Sequence, residues 1–314
     1  MKFIRHLLAF LCCAALLCPP CAAPALASEE TLSVVCTIFP AYDFARQLAG
    51  DTAQVRLLLP PGSESHSYEP SPRDIIDIQE ADLFLYAGGE SDSWVDGILA
   101  SMGDDAPRAF RLTDCVTLLA EEISASMEAE ERDHGEEAAE MDEHVWTSPK
   151  NAMLIVAQLC DTLCEIAPQN AQVYEAALSA YLTELEALDA AFEETVANGK
   201  RDLIVFGDRF PFRYFAHDYH LRYDAAFPGC SEDSEPSVRT VISLVDTIRA
   251  EQIPVVFYIE FSSRKTADVL AEETGAKELL FHSCHNVSAE ELEDGATYLS
   301  LMWNNVAALK EALN

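Results

Sequence analysis

The chain has 314 residues, 49% of them hydrophobic, which allows one large or two medium domains with a sizeable core. It carries 20 Lys and Arg against 54 Asp and Glu, a net charge of −34. Such a surface excludes nucleic acid and anionic lipid as partners, attracts cations, and is for the most part a solvated coat that keeps the chain soluble.

Residues 1–27 read as a secretion signal. Lys2 and Arg5 form a basic start, Leu7 to Leu17 an apolar middle, and Ala25-Leu26-Ala27 a cleavage site before Ser28. Losing Lys2 and Arg5 leaves 18 basic against 54 acidic residues, or −36. The apolar run is too short for a membrane span. Cys21 is a candidate lipid anchor, although Pro19 and Pro20 before it fit a lipoprotein signal poorly. No later segment is long and apolar enough to cross a membrane, so a transport role would be that of a soluble partner. Six cysteines follow the signal: Cys36, Cys115, Cys160, Cys164, Cys230 and Cys284. They contain no Cys-x-x-Cys pair, which excludes a zinc ribbon or a thioredoxin-like site. Cys160 and Cys164 lie one helical turn apart and read as small core residues.

Thr31 to Phe39 is β-branched and apolar, a buried strand that Pro40 ends, and Tyr42 to Ala49 reads as a helix. Gln54 to Leu59 is a second strand. After a Pro/Gly-rich loop, Ser71 caps a helix from Arg73 to Ala81, with Pro72 in its first turn and Asp74 complementing its dipole. Asp82 to Tyr86, Ser93 to Met102 and Arg108 to Leu112 continue as strand, helix and strand, the alternation of a parallel α/β layer. Glu121 to Glu143 breaks the pattern. It is rich in carboxylates, holds one histidine, His134, and reads as a surface loop. Ser148 and Pro149 repeat the cap-and-proline start before a helix from Asn151 to Ile166. Gln169 to Asn198 has no internal Pro or Gly and forms a rod of roughly 45 Å at 1.5 Å per residue. The strand pattern then restarts at Asp202 to Phe206, Leu221 to Phe227, Val255 to Glu260 and Glu278 to His282. Helices intervene at Phe212 to Tyr219, Val238 to Glu251 and Arg264 to Gly275, and a last one spans Ala289 to Leu313. The expected fold is α/β: two similar α/β lobes with mostly parallel four-stranded sheets, joined by one long backbone helix. The expected boundaries are an N-terminal lobe at 28–167 (with the acidic loop at 121–143), a linking helix at 168–199 and a C-terminal lobe at 200–314.

The loop Pro60-Pro61-Gly62-Ser63-Glu64-Ser65-His66-Ser67-Tyr68-Glu69-Pro70-Ser71-Pro72 holds one imidazole, His66, at the carboxyl end of a strand. In open α/β sheets ligands bind there, and a neutral imidazole suits zinc or a similar divalent metal. Taken alone it reads more readily as a surface histidine in a polar loop. That loop resembles the first metal-ligand loop of the zinc and manganese solute-binding proteins of ABC transporters, the ZnuA-like group. Three further segments carry the resemblance: Ile38-Phe39-Pro40 with Tyr42-Asp43-Phe44; Asp142-Glu143-His144-Val145-Trp146 with Ser148-Pro149-Lys150-Asn151-Ala152; and Pro228-Gly229-Cys230-Ser231 with Glu235-Pro236-Ser237. It runs from about Leu32 to the C-terminus, and its His-x-Trp segment is the most specific part.

The resemblance implies that His66 and His144 are the N-lobe metal ligands, with Trp146 and Tyr68 packing around the pocket. It implies a histidine or glutamate at the end of the first C-lobe strand and an aspartate after the last. This chain departs at both places. Gly207 stands where the first ligand is expected, and Asp208 is either an oxygen ligand or tied to Arg209 or Arg213. After the last strand, Phe281-His282-Ser283-Cys284-His285-Asn286 is a dense donor cluster. His285 is the first choice of ligand there and His282 the second. Cys284 is either a thiolate ligand or a disulfide partner of Cys230. Glu260, at a strand end, either orients a metal-bound imidazole or pairs with Arg264.

The function implied is a secreted receptor, not an enzyme. It captures a divalent metal between two lobes, as a monomer, and delivers it to the permease of an ABC importer. Two or more imidazoles with few carboxylates favour zinc over manganese. A zinc hydrolase is the first rival, but neither a His-Glu-x-x-His helix nor a Gly-x-Ser-x-Gly elbow is present. An adhesin or a metal buffer that uses the acidic surface is the second.

Overall fold

The computed structural model describes residues 31–64, 68–127, 140–229 and 235–314. The secretion signal, His66, most of the acidic segment with His134, and Cys230 lie outside them.

The first sheet is built from β1 (Leu32–Cys36), β2 (Ala53–Leu57), β3 (Leu83–Tyr86) and β4 (Arg108–Arg111), all parallel, in the order β2-β1-β3-β4. Its inner strands are covered on both faces and read as apolar runs, whereas the edge strand β2 alternates. Helices α1 (Phe39–Ala49), α2 (Pro72–Gln79) and α3 (Ser93–Met102) intervene, and α4 (Pro149–Ile166) and α5 (Ala171–Ala197) follow. Pro40 opens α1, where its missing N–H has no cost, instead of ending a long first strand. Both Ser-Pro starts behave as expected. Ser71 closes a capping box with Asp74, and Ser148 accepts the Asn151 N–H.

The second sheet repeats the plan with β5 (Leu203–Phe210), β6 (Arg222–Pro228), β7 (Val255–Tyr258) and β8 (Lys277–Leu280). It is parallel, in the equivalent order β6-β5-β7-β8. Its helices are α6 (Arg213–Asp218), α7 (Val238–Glu251), α8 (Lys265–Thr274), α9 (Ala289–Glu293) and α10 (Tyr298–Leu313). The expected single last helix is two, because Gly295 turns the chain at φ +78° and Thr297 caps a new start. Helix α5 packs against α1 and α4 of the first lobe and α10 of the second. Tyr174, Tyr181, Leu185, Leu188 and Phe192, all buried, form the stripe that does so. Among the described residues no helix is long and apolar enough to cross a membrane.

A buried carboxylate sits beneath the first lobe's loops. Asp92 accepts the Gly88 N–H at 3.1 Å and faces Thr37 Oγ1 at 3.4 Å. Burial, opposed by the Gly88 N–H and reinforced by the Glu143 carboxylate, pushes its pKa up to about 6. The folded state therefore favours the protonated acid. This contribution is intact below the unfolded pKa and is lost as pH rises through about 6. Asp92→Asn removes that loss. It is expected to raise stability at pH 7.5 by up to about 3 kcal/mol, with little gain at pH 4. Denaturant midpoints at the two pH values check this, and equal shifts at both would contradict it.

Candidate metal centre

Loops at the carboxyl ends of both sheets meet around one small cavity of about 20 Å³, room for a single ion or water. Ser63 and Glu64 reach it from the loop after β2, His144 from the turn before α4, Glu260 from the end of β7, and His285 from the loop after β8.

His144 is fully buried. Asp142, also buried, accepts the His144 backbone N–H at 2.8 Å and faces its Nδ1 at 3.2 Å. A carboxylate there favours the Nδ1–H tautomer, in which Nε2, on the far side of the ring, carries the lone pair. The ring lies against Gly229, where a Cβ would stand 3.4 Å from His144 Cε1 and 3.0 Å from the Phe210 carbonyl oxygen. Asp142→Asn is expected to keep the fold and weaken zinc binding by about 10–100-fold. Competition against a chromophoric chelator measures this, and an unchanged affinity would contradict the positioning role.

His285 is held from several sides. Glu260 accepts the N–H groups of Ser283 (2.8 Å) and His285 (3.3 Å), and also the Ser283 hydroxyl. It thus orients the loop, and Arg264 pairs with Glu278 and Asp268 instead. The His285 carbonyl accepts the Phe39 N–H at 3.1 Å. The His285 ring meets that of His144 edge-on, with centroids 5.5 Å apart at 86°. The Trp146 indole packs 4.9 Å from His285 and 5.4 Å from His144, and donates from Nε1 to the Ser283 carbonyl at 2.9 Å. Asn286 donates to the carbonyls of Pro60 (2.8 Å) and Ser63 (3.0 Å), which pins the near end of the loop that carries His66.

Other residues expected at the site are placed elsewhere. The His282 ring does not line the cavity. Its Nδ1 accepts the Cys284 N–H at 2.9 Å, its Nε2 faces Glu291 at 3.7 Å, and Asn305 grips its backbone. Cys284, at φ +61°, is a free, fully buried thiol in the main core, and burial pushes its pKa well up. Burial favours the protonated thiol, and Cys284 does not line the cavity. Asp208 lines a neighbouring cavity. Its carboxylate accepts the N–H groups of Arg209 (2.9 Å) and Ile259 (3.2 Å), and burial raises its pKa against those bonds and one from Ser262. Gly207 has no room for a side chain, since a Cβ would fall 2.5 Å from Ala267 Cα of α8. Tyr68 packs on Trp94, at 6.1 Å, away from the cavity. Glu64 and Asn286 were not singled out from the sequence; the position of Glu64 two residues before His66 was the available signal. Among the described residues no three His, Cys, Asp or Glu side chains converge as a metal-holding group.

The family model for the periplasmic zinc-uptake complex component A, ZnuA, matches residues 34–312. The chain belongs to the ZnuA family. It is 34% identical over 313 residues to the zinc-binding lipoprotein AdcA of Streptococcus pneumoniae, covering 99% of this chain and 61% of that protein. It thus spans about three-fifths of AdcA's length. It is 32% identical to the high-affinity zinc uptake system protein ZnuA of Bacillus subtilis, covering 90% of this chain and 88% of that protein. The crystal structure of the Zn(II)-bound ZnuA-like domain of S. pneumoniae AdcA superposes with a TM-score of 0.75 at 31% identity, covering 90% of this chain and 99% of that one. The two-lobed parallel α/β architecture is that of the family.

Proposed function

We propose that this chain is an extracytoplasmic receptor that captures one zinc ion between its lobes and passes it to an ABC importer. The observation that carries the proposal is the edge-on meeting of His144, from the first lobe, with His285, from the second, at a cavity of one-ion size. An ion bound by both imidazoles ties the lobes together. His66, the third imidazole that the family resemblance implies, follows Ser63 in sequence, whose carbonyl accepts from Asn286. A centre rich in imidazole suits zinc better than manganese, which prefers oxygen. The zinc-binding and zinc-uptake names of the relatives point the same way.

The receptor performs no chemistry on its cargo and acts as a monomer. Its partner is the importer's permease, and its lobes are residues 28–167 and 200–314, joined by 168–199. Titration of the metal-stripped chain with zinc and manganese tests the reading. One tight zinc per chain with weaker manganese is expected. Many weak sites would describe a buffer instead, and no tight site would mean that the fold persists without metal capture.

A further inference from the structure

Helix α6 of the second lobe reaches into the first. Tyr214 and Asp218 stand four residues apart on it, which places them on one face. The buried Tyr214 hydroxyl donates to the Asp142 carbonyl at 2.7 Å and accepts the Leu119 N–H at 3.2 Å. The Asp218 carboxylate accepts the Ser148 hydroxyl. Asp142 and Ser148 are the two ends of the short turn that carries His144 and Trp146. Each end bears on the imidazole. Asp142 faces its Nδ1, and Ser148 caps α4, into which the turn runs. Arg213, beside Tyr214, donates to the Ala120 carbonyl at 3.3 Å and pairs with Glu122 at 2.8 Å. The Leu119 carbonyl in turn accepts the Asp142 N–H at 3.0 Å, so α6 grips Asp142 directly and through its neighbour.

We propose that Tyr214 and Asp218 are positioning residues for zinc capture: α6 cradles the His144 turn from both ends and holds the ring at the angle the ion requires. A donor is productive only within about 0.5 Å of its place, and a single turn of chain does not hold a ring that closely by itself. Gly207, earlier in the same stretch of the second lobe, has no room for a ligand side chain. What α6 contributes is support for a ligand of the first lobe. This inference rests on the zinc reading above.

The test uses the full chain carrying Tyr214→Phe, Asp218→Ala, both together, or Tyr219→Phe. Each protein is stripped of metal. Zinc affinity is measured by chelator competition, cobalt(II) spectra are recorded, and thermal midpoints of the metal-free proteins are compared. Tyr214→Phe keeps the ring and loses the hydroxyl. Asp218 has a side chain 20% exposed, so its truncation leaves the core intact and gives an independent arm. Each single variant is expected to weaken zinc by about tenfold, the lower end of the range for groups that act through a ligand. Each should also shift the cobalt d–d bands as the His144 ring relaxes. The double variant should lose less than the product of the two, because freeing either end frees the turn. Tyr219, at the end of α6, donates instead to Asp189 of α5 at 2.7 Å, and Tyr219→Phe should bind zinc like the parent. Parent affinity and parent cobalt spectra in both single variants, with only a lowered midpoint, would make α6 a structural support and overturn the proposal. Losses that multiply, or an equal loss in Tyr219→Phe, would overturn it too. A parent without a tight zinc site would overturn the zinc reading itself, and this proposal with it.

Discussion

His144→Ala is expected to lose tight zinc binding, by more than about a hundredfold, while the chain stays folded. The imidazole supplies a donor that no neighbour can replace. Asp142 is engaged with the same segment, Trp146 has only an N–H, and Glu260 is committed to the Ser283–His285 loop. The substitution leaves the Asp142 carboxylate its bond from the residue 144 N–H, so the turn into α4 keeps its local support. Zinc titration together with circular dichroism checks this. A variant that binds as the parent does would remove His144 from the centre, and one that unfolds would show that the imidazole is structural.

Trp146→Ala is expected to cost about 3–5 kcal/mol of stability, the range for truncating a buried aromatic. The indole is fully buried, contacts both histidine rings, and donates to the Ser283 carbonyl, while its own carbonyl accepts the Tyr298 hydroxyl at 2.8 Å. It is therefore a shared floor for His144 and His285, and the cavity left behind frees both rings. Zinc affinity should fall with stability. Trp146→Phe keeps the packing and loses the Nε1 bond, so it should recover most of the stability. Urea unfolding of the three proteins measures the series. A change below about 1 kcal/mol in Trp146→Ala would contradict the packing role, being far under the range for such truncations.

The fold was largely legible because its signals are local. Apolar runs of four to nine residues, Ser-Pro helix starts and the long Ala/Leu/Glu rod each follow from short-range chemistry, and the two sheets then follow from alternation. The His144 segment stood out through its resemblance to a family motif, not through local periodicity. The C-lobe donors were less legible, because a loop after a strand has no periodicity. His282 and His285 are three apart, and the left-handed turn at Cys284 sends His285 to the cavity while His282 binds inward between Glu291 and Asn305. Nothing in the letters His-Ser-Cys-His states that turn. Likewise Gly207 drew attention as a missing ligand, but the close approach of α8 leaves that position no space for a side chain, and in this stretch it is Arg209 that reaches the first lobe, at Glu64. Cys284 was ambiguous by composition, and the structure places its side chain in the main core, outside the cavity lining.

One zinc ion is proposed to bind between the lobes through His144 and His285. Crystals of the zinc-loaded chain, with anomalous data on both sides of the zinc edge, test it most directly. A single strong peak is expected about 2.0–2.1 Å from a ring nitrogen of each of these histidines. A peak on His282 and Glu291, or on the acidic segment with the imidazole pair bare, would contradict it.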